Sequence, residues 1–193
     1  MARGLRAFAP TADDMLASAR SLLRVRRLAR GELFLKAGEH ASELSLVVQG
    51  WLREFYLLPD GSERTKAFAF EGNGSGSYPD LMSGHASSCC IVAEADARIV
   101  CLRYDAYRTL CAQQREWALL HVAVMESLFL RKARREYELL ALDAAGRYRA
   151  LLAEAPGIEQ RVSGKHLASY LGITAVHLSR LRRQRARAPR DAK

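Results

Sequence analysis

The chain has 193 residues, 49% of them hydrophobic, with 30 Lys or Arg against 21 Asp or Glu for a formal net charge of +9. That length suits one large or two small globular domains, and the apolar fraction is ample for a core, which excludes a disordered or fibrous chain. No apolar run is long enough to span a bilayer and the opening MARGLRAFAPTADDML lacks the apolar block of a secretory signal, so a cytoplasmic location away from membranes is expected.

The first thirty residues read as one or two short helices ending at Arg30, with Thr11 or Asp13 as the first cap. From Gly31 the texture changes to short alternating runs broken by glycine. Leu44, Leu46 and Val48 alternate, and Leu52, Glu54 and Tyr56 stand opposite Arg53, Phe55 and Leu57. Pro59, Asp60 and Gly61 spell a hairpin turn, the proline fixing one dihedral and the glycine supplying positive φ. A second glycine cluster, EGNGSGSYPDLMSG, precedes further strand texture at 88–95 and 98–102. This half is expected to be a small antiparallel barrel or roll.

After Tyr104 the strand signal stops. The run 115–142 has neither Gly nor Pro and predicts a helix of about 40 Å at 1.5 Å per residue. Trp117, Leu120, Val124 and Leu128 form an apolar stripe on its first half. A helix this long exceeds what one small roll can bury, so pairing with its twin in a two-fold dimer is expected. Asp143 reads as the N-cap of a following helix that stops at Pro156 and Gly157, and as a hinge.

The stretch VSGKHLASYLGITAVHLSRLRR predicts two short helices about a tight turn. Ser163 caps the first, Leu167, Ala168 and Leu171 give it an apolar stripe, and Gly172 breaks it, with Ile173 packed in the angle. Thr174 caps the second, which buries Leu181 with either Val176 or Leu178. Ala175, His177, Ser179, Arg180, Arg182 and Arg183 then face outward, a face suited to a DNA groove: small residues allow close approach, and arginines pair with guanine or phosphate. Ser163 and Lys165 on the preceding helix join this set. Charge agrees with the placement. Residues 143–193 hold eleven Lys or Arg against four Asp or Glu, a net of +7, leaving +2 for the remainder.

Cysteines at 89, 90, 101 and 111 include no CxxC pair, so neither a disulfide framework nor a structural zinc site is expected. Cys89 and Cys90 should point to opposite faces of a strand and be buried.

The order of these pieces, a roll containing GELFLKAGEHASELSLVVQGWLREFY, a long helix, LDAAGRYRALL and LASYLGITAVHLSRLRR, resembles the CRP/FNR family of bacterial transcription regulators over nearly the whole chain. Gly31, Glu32, Phe34, Gly38 and Gly50 match turn positions of the cyclic nucleotide-binding fold. The resemblance implies an α+β protein: an antiparallel β-roll of the cyclic nucleotide-binding jelly-roll type over 1–114, a dimerisation helix over 115–142 and a helix-turn-helix domain over 143–193. It implies a homodimer that binds double-stranded DNA, contacts RNA polymerase and answers to an unknown small-molecule effector, and no enzyme.

The ligand cassette departs from that pattern. In cAMP-binding members a glycine-glutamate pair and, eleven residues after the glycine, an arginine hold ribose and cyclic phosphate; here the positions carry Gly76, Ser77 and Ser87. No cation remains there for a phosphate, so cAMP is not the expected effector. Any ligand is expected against Gly76, Ser77, Tyr78, Ser87, Ser88 and Lys132. No cysteine precedes Val25, which leaves an iron–sulfur cluster without ligands; His40, His85 and His121 are isolated, and neither metal nor other cofactor is expected. The recognition helix carries Ala175 and Val176 where many members have Arg-Glu, while Arg180 matches the third contact arginine. Two other readings are a constitutive regulator with a vestigial pocket and a protein-interaction module that ignores DNA.

Overall fold

The computed structural model describes residues 12–187, so Thr11 and the tail from residue 188 lie outside the described residues. Helix α1 (Ala12–Ala19) and one 3₁₀ turn (Arg20–Leu22) lead into β1 (Leu23–Leu28). Asp13 therefore lies within α1 rather than capping it. The helical reading up to Arg30 also fails over β1. Arginines at 24, 26 and 27 mask any alternation there, yet the segment pairs in unbroken antiparallel register with β8 (Ala97–Arg103), from Leu23 opposite Leu102 to Leu28 opposite Ala97. Long-range pairing outweighs local helix preference.

Two four-stranded sheets face each other. One runs β1-β8-β3-β6, with β3 at Glu43–Gln49 and β6 at Gly74–Ser75. The other runs β2-β7-β4-β5, with β2 at Leu33–Leu35, β4 at Leu52–Leu57, β5 at Glu63–Ala69 and β7 at Cys89–Ala93. Period-two alternation fills the space between them. Cys89, Ile91 and Ala93 point inward with Ala97, Ile99 and Cys101, meeting Leu28, Leu35, Val47 and Leu52. Cys90 and Val92 point the other way and pack with Phe55, so the two adjacent cysteines do occupy opposite faces. Burial pushes the Cys101 thiol up to about 11, which keeps it protonated and unreactive at neutral pH.

Gly50, between β3 and β4, could not be another residue without rearrangement. Its φ is +77°, and an added Cβ would stand 2.4 Å from the Asp96 carbonyl oxygen. Gly61 turns β4 into β5 with φ +77°, donating its N–H to the Leu58 carbonyl at 2.9 Å, as the Pro-Asp-Gly signal predicts.

Outside the sheets, α1, α3 (Tyr104–Gln113) and the start of α4 (Arg115–Ala141) share a second core of Met15, Ala19, Leu102, Tyr107, Leu110, Trp117 and Leu120, with Val124 against it. Trp117, Leu120 and Val124 of the apolar stripe noted from the sequence therefore pack within their own chain, while Leu128 is half-buried outside this cluster. A different set on α4 stays exposed: Leu119, Val122, Phe129, Leu130, Tyr137 and Leu140.

The chain divides into two compact units, one running to Ser62 and resuming over Lys66–Phe129, the other formed by Glu63–Thr65 with the chain from Leu130 onward. The second unit contains the end of α4, then α5 (Ala144–Glu154), α6 (Ile158–Arg161), α7 (Gly164–Leu171) and α8 (Ala175–Arg187). Asp143 caps α5 by accepting the Gly146 N–H at 2.7 Å. Arg147 in α5 donates to the Leu142 carbonyl at 2.7 Å and the Leu171 carbonyl at 3.0 Å. Arg135 of α4 lies over the Tyr170 ring, its carbon 4.1 Å from the centroid, and donates to the Tyr170 carbonyl.

Candidate nucleic-acid interface and ligand cassette

In the second unit, the Ser163 hydroxyl accepts the His166 N–H at 3.3 Å and starts α7, whose Leu167, Ala168 and Leu171 are buried. Gly172 ends it in the left-handed conformation at φ 69°, where its N–H reaches the Ala168 and Ser169 carbonyls. The Thr174 hydroxyl accepts the His177 N–H at 3.1 Å and starts α8. Of the two apolar residues left open by the sequence, Leu178 is the buried one, at 1% exposure, and it packs inward with Leu181. Val176 stands 64% exposed. The helix continues through Gln184 to Arg187.

Thr174, Ala175, His177, Arg180, Arg183 and Lys165 are exposed, and Ser179 is half-buried. The capping hydroxyls of Ser163 and Thr174 accept through a lone pair, which leaves each proton available to a phosphate oxygen. Arg182 sits differently. Its Nε donates to Glu159 Oε1 at 2.7 Å, Arg185 donates to Glu159 Oε2 at 2.9 Å, and Tyr148 donates its hydroxyl to Oε1 at 2.7 Å. Burial alone would raise the Glu159 carboxyl, but hydrogen bonds from Tyr148, Arg182 and Arg185 hold it below its ordinary value. Glu159 thus ties α8 to α5 through α6. The sequence reading missed it because it follows a Pro-Gly break and belongs to a single helical turn.

In the first unit, Gly76 and Ser77 follow β6 and lead into α2 (Tyr78–Ser83), a short helix inside the glycine-rich stretch. Ser77 and Ser87, each 3% exposed, both donate to Asp80 Oδ2, Ser87 at 2.8 Å. Ser87 also reaches the Cys89 carbonyl at 3.1 Å. Burial pushes the Asp80 carboxyl up, but the two serine hydroxyls, the Lys66 charge and the Ser88 N–H together hold it below its ordinary value. Beside them Lys66 pairs with Glu54 at 3.1 Å, and Ser75 donates to Glu54 at 2.9 Å. Burial lowers the Lys66 pKa and Glu54 raises it; the net is upward, which keeps the ammonium charged. No sequence signal marked Asp80 as the acceptor of these two serines.

Residues 25–114 match the family model of the cyclic nucleotide-binding domain. Among solved structures the chain is similar to FixK2 from Bradyrhizobium japonicum, at 21% identity and TM-score 0.70 over 84% of this chain and 83% of that one. It is similar to the Thermus thermophilus catabolite activator protein at 25% identity and TM-score 0.59, over 95% and 86% of the two chains. A CRP/FNR-family regulator from Eubacterium rectale matches at 19% identity and TM-score 0.70, over 92% and 87%. No curated protein matches the sequence. The fold is therefore that of the CRP/FNR regulators, carried by roll, long helix and helical C-terminal part together.

Within the matched stretch, Ser77 and Ser87 are occupied by the Asp80 carboxylate of their own chain. Ser88 is exposed, and so is Lys132 on α4. Tyr78 packs edge-on to Tyr104, with its hydroxyl 3.4 Å from His121 Nδ1, beside a cleft of about 380 Å³ lined by Met82, Arg108 and Cys111 among others. His40 lies near the Gly84 carbonyl, and His85 is exposed. Among the described residues no three His, Cys, Asp or Glu side chains gather as a metal site, and no helix is long and apolar enough to cross a membrane.

Proposed function

We propose that this protein is a homodimeric transcription regulator that grips duplex DNA with α8 and its neighbours and does not take cAMP as effector. The carrying observation is the outward face of α8. Arg180, Arg183 and Arg187 are exposed there without an ion-pair partner among the described residues, on a helix whose N-terminus is small and polar and whose inner face is buried. Lys165, Ser163, Thr174, Ala175, His177 and Ser179 supply further groups to backbone or base edges, and Arg182 braces the helix as well as lying at its margin. Counterion release at phosphates favours such a surface over solvent.

Dimerisation is supported by the exposed apolar set on α4. Solvated Phe129, Leu130, Tyr137 and Leu140 have no folding role in the single chain and suit burial against a twin. Two readers of a two-fold dimer meet successive major grooves about 34 Å apart, and a change in how the α4 pair packs would alter that spacing.

Asp80 supports the statement on cAMP and favours a second reading, a regulator whose pocket no longer senses. A cyclic phosphate entering the cassette meets a carboxylate where the family's ligand-binding members present a guanidinium. The remaining candidate ligand contacts, Gly76, Ser77, Tyr78, Ser87, Ser88 and Lys132, would serve a non-anionic effector only after Asp80 yields its serines. Contact with RNA polymerase belongs to this proposal as an expectation from the fold.

Selection of duplexes from a random pool at stated salt, followed by gel shift, tests the reading. Enrichment of a two-fold symmetric sequence bound by a dimer supports it. A monomer that retains no duplex at low ionic strength refutes it.

A further inference from the structure

The direction in which α8 presents its side chains follows from what its other side touches. Leu178 and Leu181 are buried, and Arg182 and Arg185 are drawn to Glu159. At 100° per residue these four define one side of the helix, and the opposite side is centred on Val176, Arg180, Arg183 and Arg187, spaced four, three and four residues apart. Ser179 flanks that line, whereas His177 and Ala175 lie toward the two edges. Val176 is thus the middle of the outward face in the first turn, ahead of three arginines with no ion-pair partner among the described residues.

An exposed valine in that place has no structural reason. It buries little, and its branched Cβ makes it a poorer helix former than alanine. The same branching leaves essentially one side-chain rotamer in a helix, so its methyl groups are held in a fixed position before any contact is made. In the major groove one natural base edge carries an apolar group, the 5-methyl of thymine. Charge complementarity fixes the occupant of the face: the guanidinium line behind Val176 fits a polyanion and no apolar partner.

We infer that Val176 is a specificity-determining residue that reads a thymine methyl in each half-site, one or two base pairs from the base read by Arg180. The separation follows from the four-residue rise of about 6 Å between them, and Arg183 and Arg187, further along, reach the flanking phosphates. This inference rests on the DNA-binding reading above and adds to it which base group the reader needs.

The test uses the full chain and the duplex enriched from the random pool. Each thymine in turn is replaced by deoxyuridine, which deletes the methyl and nothing else. At one thymine per half-site the replacement should weaken binding about fourfold, the worth of burying one methyl-sized group, and symmetric replacement in both half-sites should weaken it about fifteenfold. Val176→Ala, on an exposed helical position where alanine is the better helix former, should abolish that penalty while leaving discrimination at the guanine intact. A tightly bound sequence in which no thymine responds to deoxyuridine overturns the inference and leaves the regulator standing. So does a Val176→Ala protein that keeps the full penalty. If the pool yields no preferred sequence, the DNA-binding reading itself falls and this inference with it.

Discussion

Replacing Asp80 by alanine removes the shared acceptor of two buried hydroxyls. Ser87 retains the Cys89 carbonyl at 3.1 Å, so its hydroxyl stays satisfied. Ser77 retains only the Cys89 thiol at 3.5 Å, a weak contact, and is in effect orphaned. Leaving one buried hydroxyl unpaired costs about 1–3 kcal/mol. Asp80 itself is half-exposed, so screening makes the loss of its charge a small addition. The sum is about 2 kcal/mol, or about 4–8 °C in Tm for a chain of this size. Both tryptophans, Trp51 and Trp117, are buried in the first unit, so urea unfolding followed by their fluorescence reports on the unit that holds the cassette. Asp80→Asn keeps an acceptor and should lose about half as much. The pH sign is fixed by the depressed carboxyl. Its contribution is present above the ordinary value of 3.8 and fades as pH falls through the lower folded value, so parent and Asp80→Asn should converge in acid. An Asp80→Ala protein within about 0.5 kcal/mol of the parent at pH 7 would show that the serines do not depend on the carboxylate.

Arg180→Ala should cost about 1–3 kcal/mol of specific binding and relax one base position, whereas Lys165→Ala should weaken all duplexes alike and shallow the salt dependence by about one unit. Unchanged selectivity for Arg180→Ala among operator variants would displace it from base reading. Glu159→Gln should destabilise the second unit by about 1 kcal/mol, because solvent reaches the pair and screens it. Circular dichroism at 222 nm should show that deficit above the ordinary glutamate value of 4.5 and its disappearance as pH falls below, since the folded carboxyl is depressed; an equal deficit at pH 3 and pH 7 would contradict the clamp. Calorimetry with cAMP should give no binding heat in the micromolar range. Micromolar affinity would mean that Asp80 can be displaced.

Sequence legibility tracked how local each structural cause is. Ser163, Thr174 and Asp143 announce their helices because a cap acts within three residues, and Gly172 and Gly61 announce their turns because positive φ is a property of one residue. Strand β1 was unreadable. Its arginines stand where alternation should show, and the pairing that makes it a strand comes from β8, more than seventy residues away. Short α2 was hidden by the glycines around it. The comparison of Ser77 and Ser87 with the family pattern located the cassette and its missing charges, but not what replaced them, because Asp80 enters from an unremarked helix. Val176 and Leu178 could not be separated on periodicity alone; the hydrogen bonds of Arg182 and Arg185 to Glu159 fix the helix rotation, and those depend on how α6 sits against α8. The pairing of α4 with a twin was argued from length, and most of the apolar stripe on its first half is covered by its own chain.

Arg147 and Arg135 change what the junction after α4 can do. The Arg147 guanidinium ties off the carbonyl ends of α4 and α7, and that of Arg135, about two turns before Leu142, locks onto Tyr170. The Asp143 corner, which reads as a swivel in the sequence, is spanned by these two struts. Torque applied to the last turns of α4 passes to α7, and through the Gly172 elbow to α8, without lost motion. On the proposed regulator reading, a signal reaching α8 by this route enters upstream of Arg135, as a roll or bend of α4.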